Sequence, residues 1–273
     1  MKIKLLALDM DGTTYYKGGE IVPANVKPIQ QALEKGVDVV IVTGRPALAK
    51  QNKLVENGLN YKNALIAACN GACIYDFNDK KILKSSPISS TDAKTLFDLA
   101  KNKYPDVEVW GYVDDLNTVV QSRDTNHTEG WVFESGFFDG EYILFDDVED
   151  NFNYSFFKLL AFNVSEEYIK EVQKLGLEHA LSAKEHVLEI NAKGINKAFA
   201  VKYLAEEFKV PHEQTMAIGD GMNDLPMIEY VKWGVSLENS VDAVKKVAQI
   251  HINKTNVEGG VAEAIDKYIL NEK

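Results

Sequence analysis

One short stretch constrains this chain more than any other: Asp9-Met10-Asp11-Gly12-Thr13, set directly after the apolar run Leu5-Leu6-Ala7-Leu8. A short run without polar interruption reads as a strand buried on both faces of a parallel sheet. In open α/β sheets ligands bind at the carboxyl ends of the strands, and this strand delivers two acids there. A carboxylate in that position is costly unless a cation, a basic side chain or backbone N–H groups compensate it. Gly12 permits a sharp turn just after the pair. The rest of the sequence must supply a sheet for the strand and partners for the acids.

The next segments supply the sheet. Residues 26–35 read as a helix closed by Gly36. Residues 37–42 read as a second buried strand, ending in Thr43-Gly44-Arg45-Pro46. Pro46 opens a predicted helix to about Asn57, and 64–68 form a third strand running into Asn70-Gly71. Strand and helix alternate, as in a parallel α/β sheet. The pattern then changes. Ile74-Tyr75 and Lys81-Ile82-Leu83 flank a turn at Asn78-Asp79-Lys80, and Ser89-Ser90-Thr91-Asp92 caps a helix to about Lys103. Strands are predicted over 107–112, 118–121, 155–162 and 187–190, and a helix over 166–175 stops at Gly176. The acidic, aromatic-rich stretch 124–150 gives no clear period.

Alternation then resumes. A helix over 195–208 places Phe199, Leu204 and Phe208 on its buried side, and a strand over 215–218 leads into Gly219-Asp220-Gly221-Met222-Asn223-Asp224. Asn223 is a candidate cap for a helix to about Tyr230; short strands at 233–236 and 249–251 flank a helix near 241–247, and 261–270 form a closing helix. The expected fold is α/β: a doubly wound, Rossmann-like parallel core from 1–82 and 187–273, with an α+β cap inserted over 83–186.

Four segments carry the chemistry: the Asp9 stretch, Thr43-Gly44-Arg45, Lys197 at the start of a helix, and Gly219-Asp220-x-x-Asn223-Asp224. Each lies near a strand end or helix start, so all can share one crevice. Carboxylates at Asp9 and Asp220, with the backbone carbonyl of Asp11, make an oxygen cage suited to Mg²⁺, and Asp224 can hold one of its waters. Such a metal cancels the repulsion among the acids and neutralises phosphoryl oxygens. Asp9 can then attack phosphorus and form an aspartyl-phosphate, while Asp11 protonates the leaving oxygen and later activates water. The Thr43 hydroxyl with nearby N–H groups can hold phosphoryl oxygens, and Lys197 supplies a compact positive charge.

These segments resemble the four motifs of the haloacid dehalogenase superfamily, and within it the Cof-type hydrolases, phosphatases of sugar phosphates and other metabolites. The resemblance spans nearly the whole chain. It takes in Asn70-Gly71-Ala72, the cap-sized insertion and Asn256-Val257-Glu258-Gly259-Gly260-Val261. It implies that Asp9 is nucleophile and metal ligand, that Asp11 is acid/base and ligates through its carbonyl, and that Asp220 is the third protein ligand. It further implies that Thr43, Gly44, Lys197, Asn223 and the Met10 backbone contact phosphate. The chain departs from the family twice. Ala198 follows Lys197 where glycine is usual, and Lys193-Gly194 lies just upstream, which makes Lys193 a rival; the family's spacing to the following helix favours Lys197. Leu237-Glu238-Asn239-Ser240 replaces a more usual Met-Gly-Asn-Ala, a change expected to affect packing more than chemistry.

The expected activity is therefore Mg²⁺-dependent hydrolysis of a small phosphorylated metabolite under a cap that excludes bulk water. A phosphomutase sharing the intermediate, a receiver-like signalling protein and a phosphate-binding protein with little turnover are the alternatives. Acidic residues outnumber basic ones 41 to 30, for a net charge of −11, and no Lys/Arg block appears, which argues against nucleic-acid or membrane-surface partners. With two cysteines, Cys69 and Cys73, a disulfide framework or thiolate zinc site is not expected, and a cytoplasmic setting is. No signal-peptide pattern or long apolar run appears. The five histidines are scattered, and the Gly219 loop fits neither the dinucleotide nor the Walker pattern. In the insertion, Trp110, Tyr112, Trp131, Phe133, Phe137 and Phe138 are expected in packing, with one or two facing substrate. Arg123 and Lys158 are candidates for an anionic substrate tail, against solvated or structural roles.

Overall fold

A computed structural model of the chain describes residues 2–271 apart from 50, 51, 53, 55, 58, 60–64, 125–127, 129–133, 137 and 183–186. Its first sheet is built from β1 (Leu5–Leu8), β2 (Asp38–Val42), β3 (Leu65–Ala68), β4 (Cys73–Asp76) and β5 (Lys81–Ser85). The second is built from β6 (Glu108–Val113), β7 (Thr118–Gln121), β8 (Glu141–Leu144), β9 (Phe156–Phe162), β10 (Glu178–Ser182) and β11 (Val187–Asn191). β12 (Thr215–Gly219), β13 (Trp233–Leu237) and β14 (Ile250–Ile252) return to the first.

β1 sorts the first sheet into two layers, because successive side chains point to opposite faces. Leu6 and Leu8 join Ile29 and Ala32 of helix Pro23–Glu34 and Val261, Ala264 and Ile265 of helix Gly260–Ile265. Leu5 and Ala7 face the other way, against Ala200, Val201 and Leu204 of helix Lys197–Glu207 and Met227 and Ile228 of helix Leu225–Tyr230. Helices on both faces explain why the strand reads as an unbroken apolar run; full burial of each leucine contributes roughly 1.5–3 kcal/mol. The sheet runs β14-β13-β12-β1-β2-β3-β4-β5, parallel as far as β3 and antiparallel from there. This is the expected doubly wound core. β1 lies between β12 and β2, with Leu5 paired to Thr215 on one side and Asp38 on the other, so their carboxyl ends open into one crevice.

The second sheet runs β10-β11-β9-β6-β7-β8 and is antiparallel except for β7 with β8. Leu96 and Phe97 of helix Ser90–Asn102 and Tyr168 and Val172 of helix Glu166–Lys174 pack on one face. The first of these helices starts at the expected hydroxyl cap, Ser89 accepting from the Asp92 N–H at 3.1 Å, and the second is capped likewise by Ser165, which accepts from the Tyr168 N–H at 3.3 Å. The opposite face carries Trp110, Tyr112, Val119, Phe138, Leu160, Phe162 and Val187.

Several expectations change. Helix Pro23–Glu34 starts three residues before position 26, because proline at the first helical position lacks only an N–H that would have no partner there. The described residues of 46–57 form turns rather than a helix, and Asn52 donates its side-chain amide to the Pro46 and Ala47 carbonyls at 2.8 and 2.9 Å. Those bonds satisfy the backbone locally, in competition with a helical ladder. β10, which the sequence reading missed, pairs with β11 from Glu178 opposite Asn191 to Ser182 opposite Val187. β11 in turn pairs with β9, so the second sheet extends past the expected boundary at 186 to Asn191. Of 124–150, residues Glu141–Leu144 are β8 and Phe145–Val148 a single helical turn. Phe199 and Phe208 are only partly buried, whereas Leu204 is fully so. Trp131, Phe133 and Phe137 lie outside the described residues, as do His127 and His186. Among the described residues no helix is long and apolar enough to cross a membrane.

Candidate active site

β1, β2, β3 and β12 each end in a loop at the same edge, and hydrogen bonds along that edge stitch the loops together. The Asp9 N–H donates to the Ile218 carbonyl at 3.0 Å, that of Thr43 to Ala67 at 2.9 Å, and that of Asn70 to Thr43 at 2.8 Å. Asp9, 5% exposed, stands at the centre. Lys197, fully buried in the first turn of its helix, reaches Asp9 Oδ1 at 2.6 Å and Asp224 Oδ1 at 2.5 Å. Asn196 caps that helix, accepting from the Phe199 N–H, which fixes where Lys197 emerges. Lys193 is exposed on the turn before, so the geometry puts Lys197, not Lys193, beside Asp9.

Asp220 completes the cluster: ligand oxygens of Asp9, Asp220 and Asp224 all lie within 4.8 Å of one another. Asp220 Oδ1 accepts from the Thr13 hydroxyl at 2.7 Å. Asp224 Oδ2 accepts from the Asp220 and Gly221 N–H groups at 2.9 and 2.8 Å, so Asp224 closes the turn it follows. Gly12 has φ +80°, and a Cβ there would stand 2.7 Å from an Asp220 oxygen; a close approach in left-handed backbone leaves room only for glycine.

The charges explain the acidities. Burial, then repulsion from Asp224, pushes the Asp9 carboxyl well above its usual range, against the pull of Lys197. Burial and Asp224 likewise push Asp220 up to about 6, with the Thr13 hydroxyl opposing. Lys197 is held protonated, its burial overridden by the two carboxylates. Three acids against one ammonium leave the cluster short of positive charge, and its donors are hard oxygens. Both facts fit a divalent cation such as Mg²⁺.

Asp11 does not join the cluster through its side chain. Arg45 grips the carboxylate twice, Nε on Oδ2 at 2.7 Å and Nη2 on Oδ1 at 2.5 Å, and the Gly18 N–H adds a third bond at 2.7 Å. Met10 buries its side chain in the core, so what it can offer a ligand is its backbone. Thr43 is buried at the end of β2, with its Oγ1 accepting from the Arg45 N–H at 3.1 Å. Asn223 is not a helix cap: helix Leu225–Tyr230 has no side-chain cap, and the Asn223 amide instead donates to Asn70 at 3.3 Å and Glu189 at 3.4 Å.

Sequence reasoning missed four supporting side chains. Asn239 donates to the Gly12 carbonyl at 2.8 Å and accepts from the Asn256 N–H at 2.8 Å, tying the Asp9 turn to the C-terminal segment. Asn70, Asn191 and Glu189 form a polar knot between the two sheets, with Asn70 donating to Glu189 at 2.6 Å and to Asn191 at 3.0 Å. The available signal was Glu189 itself, a charge inside the apolar strand Val187–Asn191. Of the two cations left open, Lys158 donates to the Gly44 carbonyl at 2.7 Å, whereas Arg123 ties down the Val107 carbonyl.

A family model described as haloacid dehalogenase-like hydrolase matches residues 6–265. The 5-amino-6-(5-phospho-D-ribitylamino)uracil phosphatase YcsE of Bacillus subtilis is 33% identical over 273 residues, covering 98% of this chain and 96% of its own. A putative phosphatase of Streptococcus pyogenes serotype M6 is 30% identical, covering 99% of this chain and 100% of its own. The crystal structure of a haloacid dehalogenase-like hydrolase from Bacteroides thetaiotaomicron superposes with a TM-score of 0.78 at 25% identity, covering 97% of this chain and 99% of that one.

Proposed function

The chain belongs to the haloacid dehalogenase-like hydrolases, as a phosphatase of the Cof type, and we propose that it hydrolyses small phosphomonoesters through an aspartyl-phosphate on Asp9. The observation that carries this reading is the placement of Asp9: a strand-end carboxylate bound to a buried lysine, inside a cluster of three acids, with a second acid two residues on. Mg²⁺ would be held by Asp9, the Asp11 carbonyl and Asp220, with Asp224 acting through water. When bound it supplies positive charge to the acids and to the phosphoryl oxygens. The donor set supports it.

In the first half-reaction an Asp9 oxygen attacks phosphorus, the bond to the leaving oxygen breaks, and Asp11 gives that oxygen a proton. In the second, Asp11 takes a proton from water, water oxygen bonds to phosphorus, and the bond to Asp9 breaks, releasing phosphate. Asp11 gripped by Arg45 is an acceptor, so giving a proton requires it to come away from the guanidinium. Thr43, Gly44, Asn223, Lys197 and the Met10 backbone hold the phosphoryl oxygens. Lys197 has a second task, drawing Asp9 toward its anionic form against burial and the repulsion of Asp224. The second sheet and its helices act as the cap, closing the crevice to bulk water. The unpaired, buried Cys69 and Cys73 fit a reducing cytoplasm as the setting.

The test is phosphate release from a panel of phosphorylated metabolites with Mg²⁺ or chelator, headed by 5-amino-6-(5-phospho-D-ribitylamino)uracil because a relative is named for it. Mg²⁺-dependent release is expected from several compounds. An isomerised sugar phosphate without free phosphate would instead make the protein a mutase.

A further inference from the structure

Asp11 is followed by Gly12, the residue type whose backbone is least able to hold a direction of its own. Here a closed ring of hydrogen bonds holds it from outside. The Gly12 N–H donates to the Tyr15 carbonyl at 3.2 Å, and the Asn256 amide donates to the same carbonyl at 3.0 Å. The Asn256 N–H donates to Asn239 Oδ1 at 2.8 Å, and the Asn239 amide returns to the Gly12 carbonyl at 2.8 Å. Both polar backbone groups of Gly12 are therefore engaged in one circuit, which two asparagines from the far end of the chain complete. A side-chain amide suits the task, because it grips a carbonyl with its nitrogen while its oxygen is itself held.

The same short segment fastens the turn after β12. The Ser240 hydroxyl donates to the Gly219 carbonyl at 3.2 Å, the Val241 N–H to the Asp220 carbonyl at 2.9 Å, and the Asn239 amide lies 3.4 Å from Asp220 Oδ2. Residues 239–241 thus set the Asp11 turn in register with the Asp220 turn. A third asparagine, the fully buried Asn25, donates to the Thr14 carbonyl at 3.0 Å and accepts from the Ala262 N–H at 3.1 Å. What these bonds restrain is direction. The Asp11 carboxylate rests on Arg45 and the Gly18 N–H and has to leave them to reach a leaving oxygen. That swing has a fixed end point only if the backbone beside it stays still, and a misplacement of about 1 Å costs about 10²-fold in rate.

We propose that Asn239 and Asn256 are positioning residues for the acid step: their ring around Gly12 aims Asp11 at the leaving oxygen. As the bond from Asp9 to phosphorus forms, the bond to the leaving oxygen breaks, and that oxygen keeps the electron pair and takes the Asp11 proton. The ring sets the line along which the proton arrives. The inference rests on the phosphomonoester reading and adds to it two residues that act through Asp11.

Asn239→Ala is the informative variant, because the side chain is exposed and its removal opens no cavity in the core. The readout is kcat/KM in Mg²⁺ for two compounds. One is 4-nitrophenyl phosphate, whose leaving oxygen departs without a proton. The other is the alkyl monophosphate of the panel above that releases phosphate fastest, whose leaving oxygen needs one. Asp11→Asn sets the scale: it should lower the alkyl value by about 10²-fold or more and the nitrophenyl value by less than about tenfold. N239A should lower the alkyl value about tenfold and keep the nitrophenyl value within about twofold, and Asn256→Ala should follow the same pattern. A loss through the metal or the fold would fall on both compounds alike. Added to Asp11→Asn, N239A should cost the alkyl compound less than about twofold, since no acid is left to aim. Equal losses on the two compounds, an alkyl value in N239A within about twofold of unaltered protein, or a tenfold loss that persists beside Asp11→Asn would overturn the inference while leaving the hydrolase reading standing. No alkyl release by unaltered protein, or an Asp11→Asn variant that spares the alkyl compound, would overturn the proposed acid chemistry as well.

Discussion

Replacing Lys197 with methionine removes the ammonium that joins Asp9 to Asp224. The lysine is fully buried and its two carboxylate contacts are 2.6 and 2.5 Å, so the variant leaves buried acids facing each other. Breaking a buried pair from one side costs about 3–5 kcal/mol. Methionine fills most of the vacated space, so little is added for a cavity. At roughly 2–4 °C per kcal/mol for a protein of this size, the melting temperature in chelator near pH 7.5 should fall by about 6–20 °C. Turnover in Mg²⁺ should fall by about 10³-fold or more, since a charge preorganised at the reacting atoms is lost. The stability loss should shrink as the pH falls, because burial and Asp224 raise the carboxyls of Asp9 and Asp220 and so favour their protonated forms. Lys193→Met, made on an exposed turn, should stay within about 0.5 kcal/mol of the parent and keep its turnover. The reasoning fails if K197M melts with the parent protein, or if K193M rather than K197M loses activity.

Three further outcomes follow from the same geometry. Gly12→Ala should destabilise by about 1–3 kcal/mol and cut turnover, because the methyl group meets the Asp220 carboxylate from left-handed backbone; a crystal structure showing Asp220 unmoved would contradict this. The Asp220 carboxyl, raised from 3.8 to about 6, binds its proton more tightly in the folded chain; that contribution is complete below the unfolded value and is lost as pH rises through about 6. The melting temperature in Mg²⁺ minus that in chelator should therefore grow between about pH 4 and pH 7, and a difference independent of pH would count against a cation among these acids. Arg45→Met leaves the Asp11 carboxylate without its two guanidinium bonds and should lower kcat by about 10- to 100-fold, less than Asp11→Asn, as steady-state rates will show.

The doubly wound core was legible because its strands are buried on both faces and so stand out as apolar runs, with Leu5–Leu8 the clearest. The acid cluster was legible because motif spacing places Asp9, Lys197, Asp220 and Asp224 at strand ends and helix starts that the topology then brings together. What stayed hidden was set by contacts distant in sequence or by local side-chain competition. β10 is short and mixed in polarity, and its place follows from pairing with β11. Asn52 satisfies the Pro46 and Ala47 carbonyls, a bond that no periodicity announces. The Arg45 grip on Asp11 spans 34 positions, and that of Asn70 on Glu189 spans 119; neither leaves a local pattern. Asn223 looks like a cap because it precedes a helix, but Asp224 satisfies the amides of that turn, which leaves Asn223 to face Asn70 and Glu189.

The central claim is the covalent intermediate on Asp9. Borohydride added during turnover reduces an acyl-phosphate to an alcohol, so trapping followed by peptide mass analysis reports which carboxylate carried the phosphoryl group. The account predicts homoserine at position 9, in Mg²⁺ and substrate only, and none in Asp9→Asn, which should be folded but without turnover. Steady turnover with Asp9 never modified, or modification at Asp11 or Asp220 in its place, would contradict it.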